Sequence, residues 1–545
     1  MTILGRLQAV AMENCMFERV AQARWVTALS VRTPRQRRWR VPLLLAGCVV
    51  VLSCSAAEAP LTPAQTRWLQ RATYGVDADS AAQLQRLGPK RYGALLLQAS
   101  DDAALPAPLR AQLQQFDALH TPLVTLLTQY EADKIRLQTL PDGDEKAALR
   151  KAWQARGGQM LTQARQAQLL RAVYAPAQLR EQLVWFWLNH FSVYADKGRV
   201  KWMAADYMEN AIRPHATGKF ADLVMATLES PAMLEYLDNA KNAKGKVNEN
   251  YARELMELHT LGVHGGYSQQ DVQQLALILT GAGLVPIKAE GAPPVPTAAT
   301  TGQAQVVRKG LFEFNPARHQ PGDKTLLGQR IAAGGLDEIE RAVQLLVRQP
   351  ACAQFVSQRL AEYFVSDKPP SALVARMAKT FQRSDGDIAK VMQAMLDAPE
   401  FAQAQPRKFK DPNRFVVSAM RLAYEDQPVV NAAPMVSWVQ QLGEPVFGRI
   451  TPDGWSLQSQ AWTSSGQLAR RFEVARSLGA GPKQLFRFDG DNDTPIPVLT
   501  QIDTRPSYRW VAPSLSSGTH EALGQARSPA EWNGFLLSSP DFNYR

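Results

Sequence analysis

"NENYARELMELHTLGVHGGYSQQDVQQLALILTGAG", residues 248–283, decides the fold. Tyr251, Leu255 and Leu258 recur every three or four positions, "VHGGY" interrupts them, and "SQQDVQQLALIL" resumes the pattern up to another glycine. That is an apolar stripe at the helical period, punctuated by glycine, twice in succession. On a wheel at 100° per residue, Asn250, Glu254 and Glu257 fall within about 60° of one another beside the apolar arc, and His259 points nearly opposite to Glu254. Two like charges at i and i+3 repel mildly in water and more strongly once partly buried. The stripe therefore has three readings. It is an internal network completed by Arg or Lys from another helix, or a functional carboxylate site that holds a metal ion or shares a proton, or a wet helix face that needs no compensation.

The same period fills most of the chain, so the expected fold class is predominantly all-α: a large multi-helix domain with irregular loops and at most a small β element. Residues 62–283 form an N-terminal helical part. In its opening "TPAQTRWLQRATYG", Thr62 is placed to cap and Pro63 to occupy the first helical position. Long helices follow, with a hairpin broken at "TLPDGD". The proline-rich "LVPIKAEGAPPVPTAATTGQAQV" (284–306) reads as a surface insertion. Residues 307–545 form a C-terminal helical part on the same body, and "RKGLFEFNPARH" (308–319) is its one persuasive strand candidate. No fixed-period repeat argues for a solenoid.

With 545 residues and 46% apolar content, the chain can bury a large core. Residues 1–59 are read apart from it as a leader: "VRTPRQRRWR" is basic, and "VPLLLAGCVVVLSCSAAEA" is apolar and then small. Cleavage after Ala59 competes with lipid attachment at Cys48 or Cys54, and residues 1–30 are read as an upstream extension. The leader holds eight Lys or Arg and three Asp or Glu, so the remainder falls from +11 to +6. So modest an excess, with no dense basic stripe, speaks against nucleic acid as a partner. The membrane is reached only through the leader or a lipid anchor. Export to the periplasm or outer envelope is the expected route. Outside the leader only Cys352 remains, among helical apolar positions, as a buried small side chain rather than a nucleophile.

His190 follows "VWFWLN", so its imidazole and the Asn189 amide interrupt aromatic residues and need buried partners. His319 closes "FNPARH" before "QPGDK", a loop position at which a histidine can face a site. His215 in "IRPHA" is held in reserve, and His264 in "GVHGGY" is expected at the surface. Asp238 and Asn239 are read as turn or cap residues, with Asp238 able to meet Glu254 across a short hairpin. There is no H-E-x-x-H, G-x-S-x-G, P-loop or G-x-G-x-x-G pattern. The E-x-x-H pair of di-iron bundles is missing too, because the histidine after Glu254 arrives at i+5.

"FWLNHFSV", "IRPHATGKFADLV", "PAMLEYLDNAKN", the opening stretch, "FEFNPARHQPGDKTLLG" and "FKDPNRFVVSAMR" together resemble the successive motifs of the bacterial domain of unknown function 1800 family. The resemblance spans about residues 62–543. It implies a large, mostly helical exported protein, and says far more about architecture and route than about chemistry. Members are often encoded beside a second exported family resembling alkaline phosphatases and sulfatases, which the resemblance offers as a partner. The motif residues carried over are Asn189, His190, Arg213, Asp238, Asn239, Asn248, Glu249, Asn250, Arg253, Glu254, Glu257, His259, Asp271, His319, Gly322 and Lys324. Two positions depart from the family pattern. Gln320 stands where an aspartate usually follows the histidine, which weakens a role for His319, and Ala282 stands where tryptophan is usual.

The resulting expectation is an exported envelope protein acting as a hydrolase or lyase on a polysaccharide or other envelope polymer. Glu254, Glu257, His190 and His319 are the catalytic candidates, and Asn250, Arg253, Arg213 and Lys324 would bind substrate. Glu254, Glu257 and His190 would be the ligands if a divalent metal is the cofactor. The alternatives are a non-enzymatic envelope scaffold and a metal-binding protein without catalysis.

Overall fold

The computed structural model describes residues 61–98, 102–290, 305–403, 408–425, 427–488 and 493–545. The expected leader and most of the proline-rich insertion lie outside them. Helix α1 (Pro63–Ala72) starts as its sequence predicts. The Thr62 hydroxyl accepts from the Gln65 N–H, the Gln65 side chain accepts from the Thr62 N–H, and Pro63 fills the first position. Helix α2 (Ala78–Leu96) kinks where Gly88 adopts φ 71° before Pro89. Helices α3 (Leu123–Thr139) and α4 (Asp144–Tyr174) form the expected hairpin, broken at residues 140–143. The first turns of α4 are exposed and its last turns, from Met160 onward, are mostly buried.

Helix α5 (Gln178–His190) is buried along all thirteen residues, which makes it the axis of the body. Several of its polar side chains find partners inside, although Arg180 Nη1, Gln182 Nε2 and His190 Nδ1 have none among the described residues. Gln178 donates to the Ala172 and Ala175 carbonyls, Gln182 accepts from Arg414, and Glu181 takes both terminal nitrogens of Arg213. Helix α6 (Val200–Asp206) runs into a π-helical turn, Tyr207–Ile212, and then α7 (Phe220–Glu229).

Helix α8 (Asn250–Glu254) departs from the wheel drawn above, because it continues as a π-helix over Leu255–Thr260. There the Leu261 N–H reaches back five residues to the Met256 carbonyl at 2.8 Å, and the Thr260 hydroxyl five residues to Leu255 at 2.6 Å. Widening the turn keeps Tyr251, Ala252, Leu255, Met256, His259 and Thr260 buried together, in pairs four residues apart. Helix α9 (Gln269–Ile278) follows, capped by Ser268 and Asp271.

Two small antiparallel sheets interrupt the helices. Strands β1 (Ala282–Leu284), β2 (Val307–Lys309) and β3 (Phe312–Phe314) pair in the order β1-β3-β2, with Gly283 and Arg308 both opposite Glu313. Strands β4 (Lys324–Leu326) and β5 (Gln329–Ile331) form a hairpin closed by Leu327 and Gly328, both at positive φ. Only the β2–β3 region is legible as strand in the sequence. Helices α10 (Leu336–Arg348), α11 (Pro350–Phe364), α12 (Pro412–Ala423), α13 (Ser465–Gly479) and α14 (Pro529–Ser538) follow, with further helices between them, around one continuous apolar cluster. Cys352 is fully buried in α11, and burial pushes its thiol far up. No helix of the described residues is long and apolar enough to cross a membrane.

Candidate active site

Glu254 and Glu257 sit half-buried at the border of α8, where the widened helix leaves its polar edge. Burial raises the pKa of Glu254, and the charges of Glu257 and Asp453 push it further up against the opposing Arg253. Asp453 belongs to the loop "GRITPDGWSLQ", 448–458, nearly two hundred residues along the chain. Its own pKa moves the other way. Partial burial would raise it, but Arg449 pairs with it at 3.0 Å and the Thr451 hydroxyl donates at 2.5 Å, so it is held below the usual range.

Three contacts hold this loop, against Tyr236 of the helix Pro231–Tyr236 and Asn189 of α5. The Tyr236 hydroxyl donates to the Ile450 carbonyl at 2.7 Å. The Asn189 amide clamps the backbone of Trp455, accepting from its N–H at 2.6 Å and donating to its carbonyl at 2.9 Å. Gly454, at φ 72°, lies so close to Asn189 that a Cβ would fall 2.1 Å from the Asn189 carbonyl oxygen. Glu254, Asp453 and Arg449 all act electrostatically on Tyr236, and Glu257, Arg253 and Glu254 on Tyr267, so two tyrosines adjoin the carboxylates. Trp455 is half-buried in the same loop, with the Arg449 guanidinium 5.5 Å from its ring centre.

His190 is not part of this group. It is 3% exposed, stacked on Phe186 and edged by Trp187 and Phe191, and its Nε2 lies 3.0 Å from the backbone carbonyl of His259. No hydrogen bond or ion pair joins it to either glutamate among the described residues. It meets the buried face of α8, while Glu254 and Glu257 occupy the polar edge. Burial depresses its pKa, helped by the charges of His259 and Arg359. His259, fully buried with both ring nitrogens unpartnered, is pushed down to about 3 by burial. No group of three or more His, Cys, Asp or Glu able to hold a metal occurs among the described residues. Glu254, Glu257 and His190 are therefore not assembled as a ligand set.

Other expected site residues are drawn into the framework. The Arg213 guanidinium is committed to buried Glu181 at 2.7 and 3.1 Å. His319 is 8% exposed rather than at a lip. Its Nδ1 donates to the Thr280 carbonyl at 2.7 Å, and its Nε2 lies 3.2 Å from the Lys324 ammonium and 3.1 Å from Glu338. Lys324, 3% exposed, bonds the other oxygen of Glu338 at 2.6 Å, and Glu338 also accepts from the N–H groups of Gly334 and Gly335. Asp238 does not meet Glu254. It adopts φ 60° and pairs with Lys197 at 2.7 Å and Lys241 at 2.9 Å.

The asparagines of "YLDNAKN" and "NEN" form a ladder. Asn239 donates to the Leu279 and Ala282 carbonyls, Asn242 to Asn239 and Ala276, and Asn250 to Leu237. Asn250 is exposed beyond that bond, and Arg253 reaches Glu249 and Gln269. Sequence reasoning missed Asp453, Trp455, Tyr236, Tyr267 and Glu338. The available signal was "PDGW", a turn followed by a large aromatic in a loop.

The fold and site define a large helical body whose polar motif residues mostly brace its interior and which keeps a carboxylate group at one helix edge. The chain belongs to the family described as "Protein of unknown function (DUF1800)", whose model matches residues 67–544. No curated protein and no solved structure matches it.

Proposed function

We propose that the protein is an exported envelope enzyme that cleaves a polysaccharide by acid–base chemistry, with Glu254 as the proton donor and Asp453 as its ionised partner. The observation that carries this reading is the opposed pKa shift of two carboxylates from different elements, one pushed up and the other held down. Shifts in opposite directions are the sense in which a proton donor and an ionised partner divide their roles. Trp455 and Tyr267 offer aromatic faces for sugar rings, and Asn250, Arg253 and Glu257 stand ready to orient hydroxyl groups. Export rests on the basic-then-apolar leader, and a co-encoded phosphatase- or sulfatase-like protein would process the same polymer.

The test is cleavage of a panel of envelope polysaccharides, read as new reducing or unsaturated ends. Glu254→Gln and Asp453→Asn should each abolish cleavage while leaving the melting temperature nearly unchanged. Activity that survives Glu254→Gln would refute the assignment.

A second reading, an envelope scaffold, draws on the commitment of Arg213, Asn239, His319 and Lys324 to internal bonds. It predicts that no polymer is cleaved and that the protein co-purifies with its neighbour regardless of the residue at 254.

A further inference from the structure

A pocket of about 460 Å³ opens between α1, the short helix Tyr508–Val511 and residues 541–545, and its lining includes neither Glu254 nor Asp453. Four arginines line it: Arg67 and Arg71 from α1, Arg509 and Arg545. Asp541 is the one carboxylate among the described lining residues. Its Oδ2 already accepts from the Ser516 N–H and from the Ser516 and Thr519 hydroxyls, each at 2.7 Å.

Arg67 and Arg71 stand four residues apart on one face of α1, a spacing at which like charges oppose the helix. Backbone carbonyls hold them there. Arg67 Nε donates to Ala402 at 3.0 Å and Arg71 Nη1 to Phe401 at 2.6 Å, so the helix Pro399–Gln403 fixes both guanidinium planes. Arg67 makes no other hydrogen bond or ion pair among the described residues, and neither of its terminal nitrogens is sealed from solvent. It therefore presents two oriented donors that the protein itself does not use.

The residues behind it add positive charge. Arg71 is 1% exposed and is pushed down to about 10 by burial and then by the charge of Arg67. Burial also depresses Arg545, and the charges of Arg414 and Arg71 add to this against Tyr363 and Asp411. An arriving anion would relieve that repulsion.

The planar fork of a guanidinium matches the oxygens of a phosphate, sulfate or carboxylate. The volume suits a small molecule rather than a polymer chain. Leu61, Pro63 and Pro513 supply apolar wall, and Trp510 lies with its ring centre 4.5 Å from the Arg509 guanidinium. A bare inorganic ion would leave that wall uncovered.

We propose that this pocket binds a small molecule carrying a phosphate or sulfate monoester on a ring-sized body, with Arg67 and Arg71 facing the oxyanion and Leu61, Pro63 and Pro513 covering the body. The site stands apart from the Glu254 chemistry and does not depend on it.

Phenyl phosphate and phenyl sulfate, titrated separately into the full chain by calorimetry at low salt, distinguish the two esters. At least one should bind saturably and raise the melting temperature, whereas phenol, the same body without the anion, should do neither. Arg67→Gln should weaken binding at least about tenfold. Ser514 is exposed in the pocket wall, so Ser514→Arg adds a guanidinium and should tighten binding, a gain that misfolding cannot produce. Absence of saturable binding by both esters would overturn the proposal. So would phenol binding as well as the esters, an Arg67→Gln protein with unchanged affinity, or a Ser514→Arg protein that binds no more tightly.

Discussion

The side-chain amide of Asn189 bonds both the N–H and the carbonyl of Trp455, at 2.6 and 2.9 Å, so the last turn of the central helix holds a loop 266 residues further along the chain. Each bond satisfies a backbone group that the loop cannot pair by itself. Asn189→Ala should cost about 1–3 kcal/mol, and Asn189→Asp should do no better, since a carboxylate cannot donate to the Trp455 carbonyl. Gly454→Ala should cost at least as much, because both its φ of 72° and the 2.1 Å approach to Asn189 oppose a side chain. Chemical denaturation measures all three, and an unchanged midpoint for Asn189→Ala would show that the clamp contributes nothing.

The buried imidazoles predict acid sensitivity. His190 and His259 have folded pKa values below the ordinary histidine value, with His259 at about 3. A group depressed in this way contributes stability above its unfolded pKa of about 6.5, and that contribution is lost as the pH falls toward the folded value. Stability should decline from about pH 6.5 downward, by an amount on the order of 4 kcal/mol for His259 once the pH nears 3. His259→Phe, which cannot protonate, should flatten that decline. Urea midpoints from pH 4 to 8 check it, and parallel curves for the two proteins would remove His259 as the cause.

The local signals read well in the sequence because local physics decides them. Thr62 and Pro63 start α1, and the break between α3 and α4 falls at "LPDG". His259 lies off the carboxylate edge, as the wheel places it. What the sequence hid depends on neighbours far along the chain. The π turn at Leu255–Thr260 is selected by packing that buries residues in pairs, and a 3.6-residue pattern cannot distinguish it from an ordinary helix. Strands β4 and β5 have three residues each, too few to show alternation. The electrostatic effect of Asp453 on Glu254 is tertiary, arising where Asn189 and Tyr236 hold the 448–458 loop rather than from any spacing near either acid.

Glu254 predicts the opposite pH dependence from the histidines. Its folded pKa is raised, so its contribution is fully present below the ordinary carboxylate range and is lost as the pH climbs through the folded value. Replacing it with Gln should therefore make the protein more stable relative to wild type at pH 7 than at pH 4. Half of the group faces solvent, so the difference should stay below about 1 kcal/mol. Thermal melts at the two pH values test this, and a Gln variant that gains nothing between pH 4 and 7 would argue against a strained carboxylate at this position.

The Lys324–Glu338 pair, with His319 Nε2 lying against both, ties β4 to the start of α10 in a site from which water is nearly excluded. Removing one partner strands the other as an unpaired buried charge, so Lys324→Met and Glu338→Gln should each cost about 3–5 kcal/mol. The double variant removes both charges and should cost clearly less than the two single losses combined. Glu338 also accepts from the Gly334 and Gly335 N–H groups, so its replacement should be the more damaging of the two. A double-mutant cycle by urea denaturation measures the coupling. Additive losses would mean that the ammonium and carboxylate are each held by other groups, and that His319 is positioned by the Thr280 carbonyl alone.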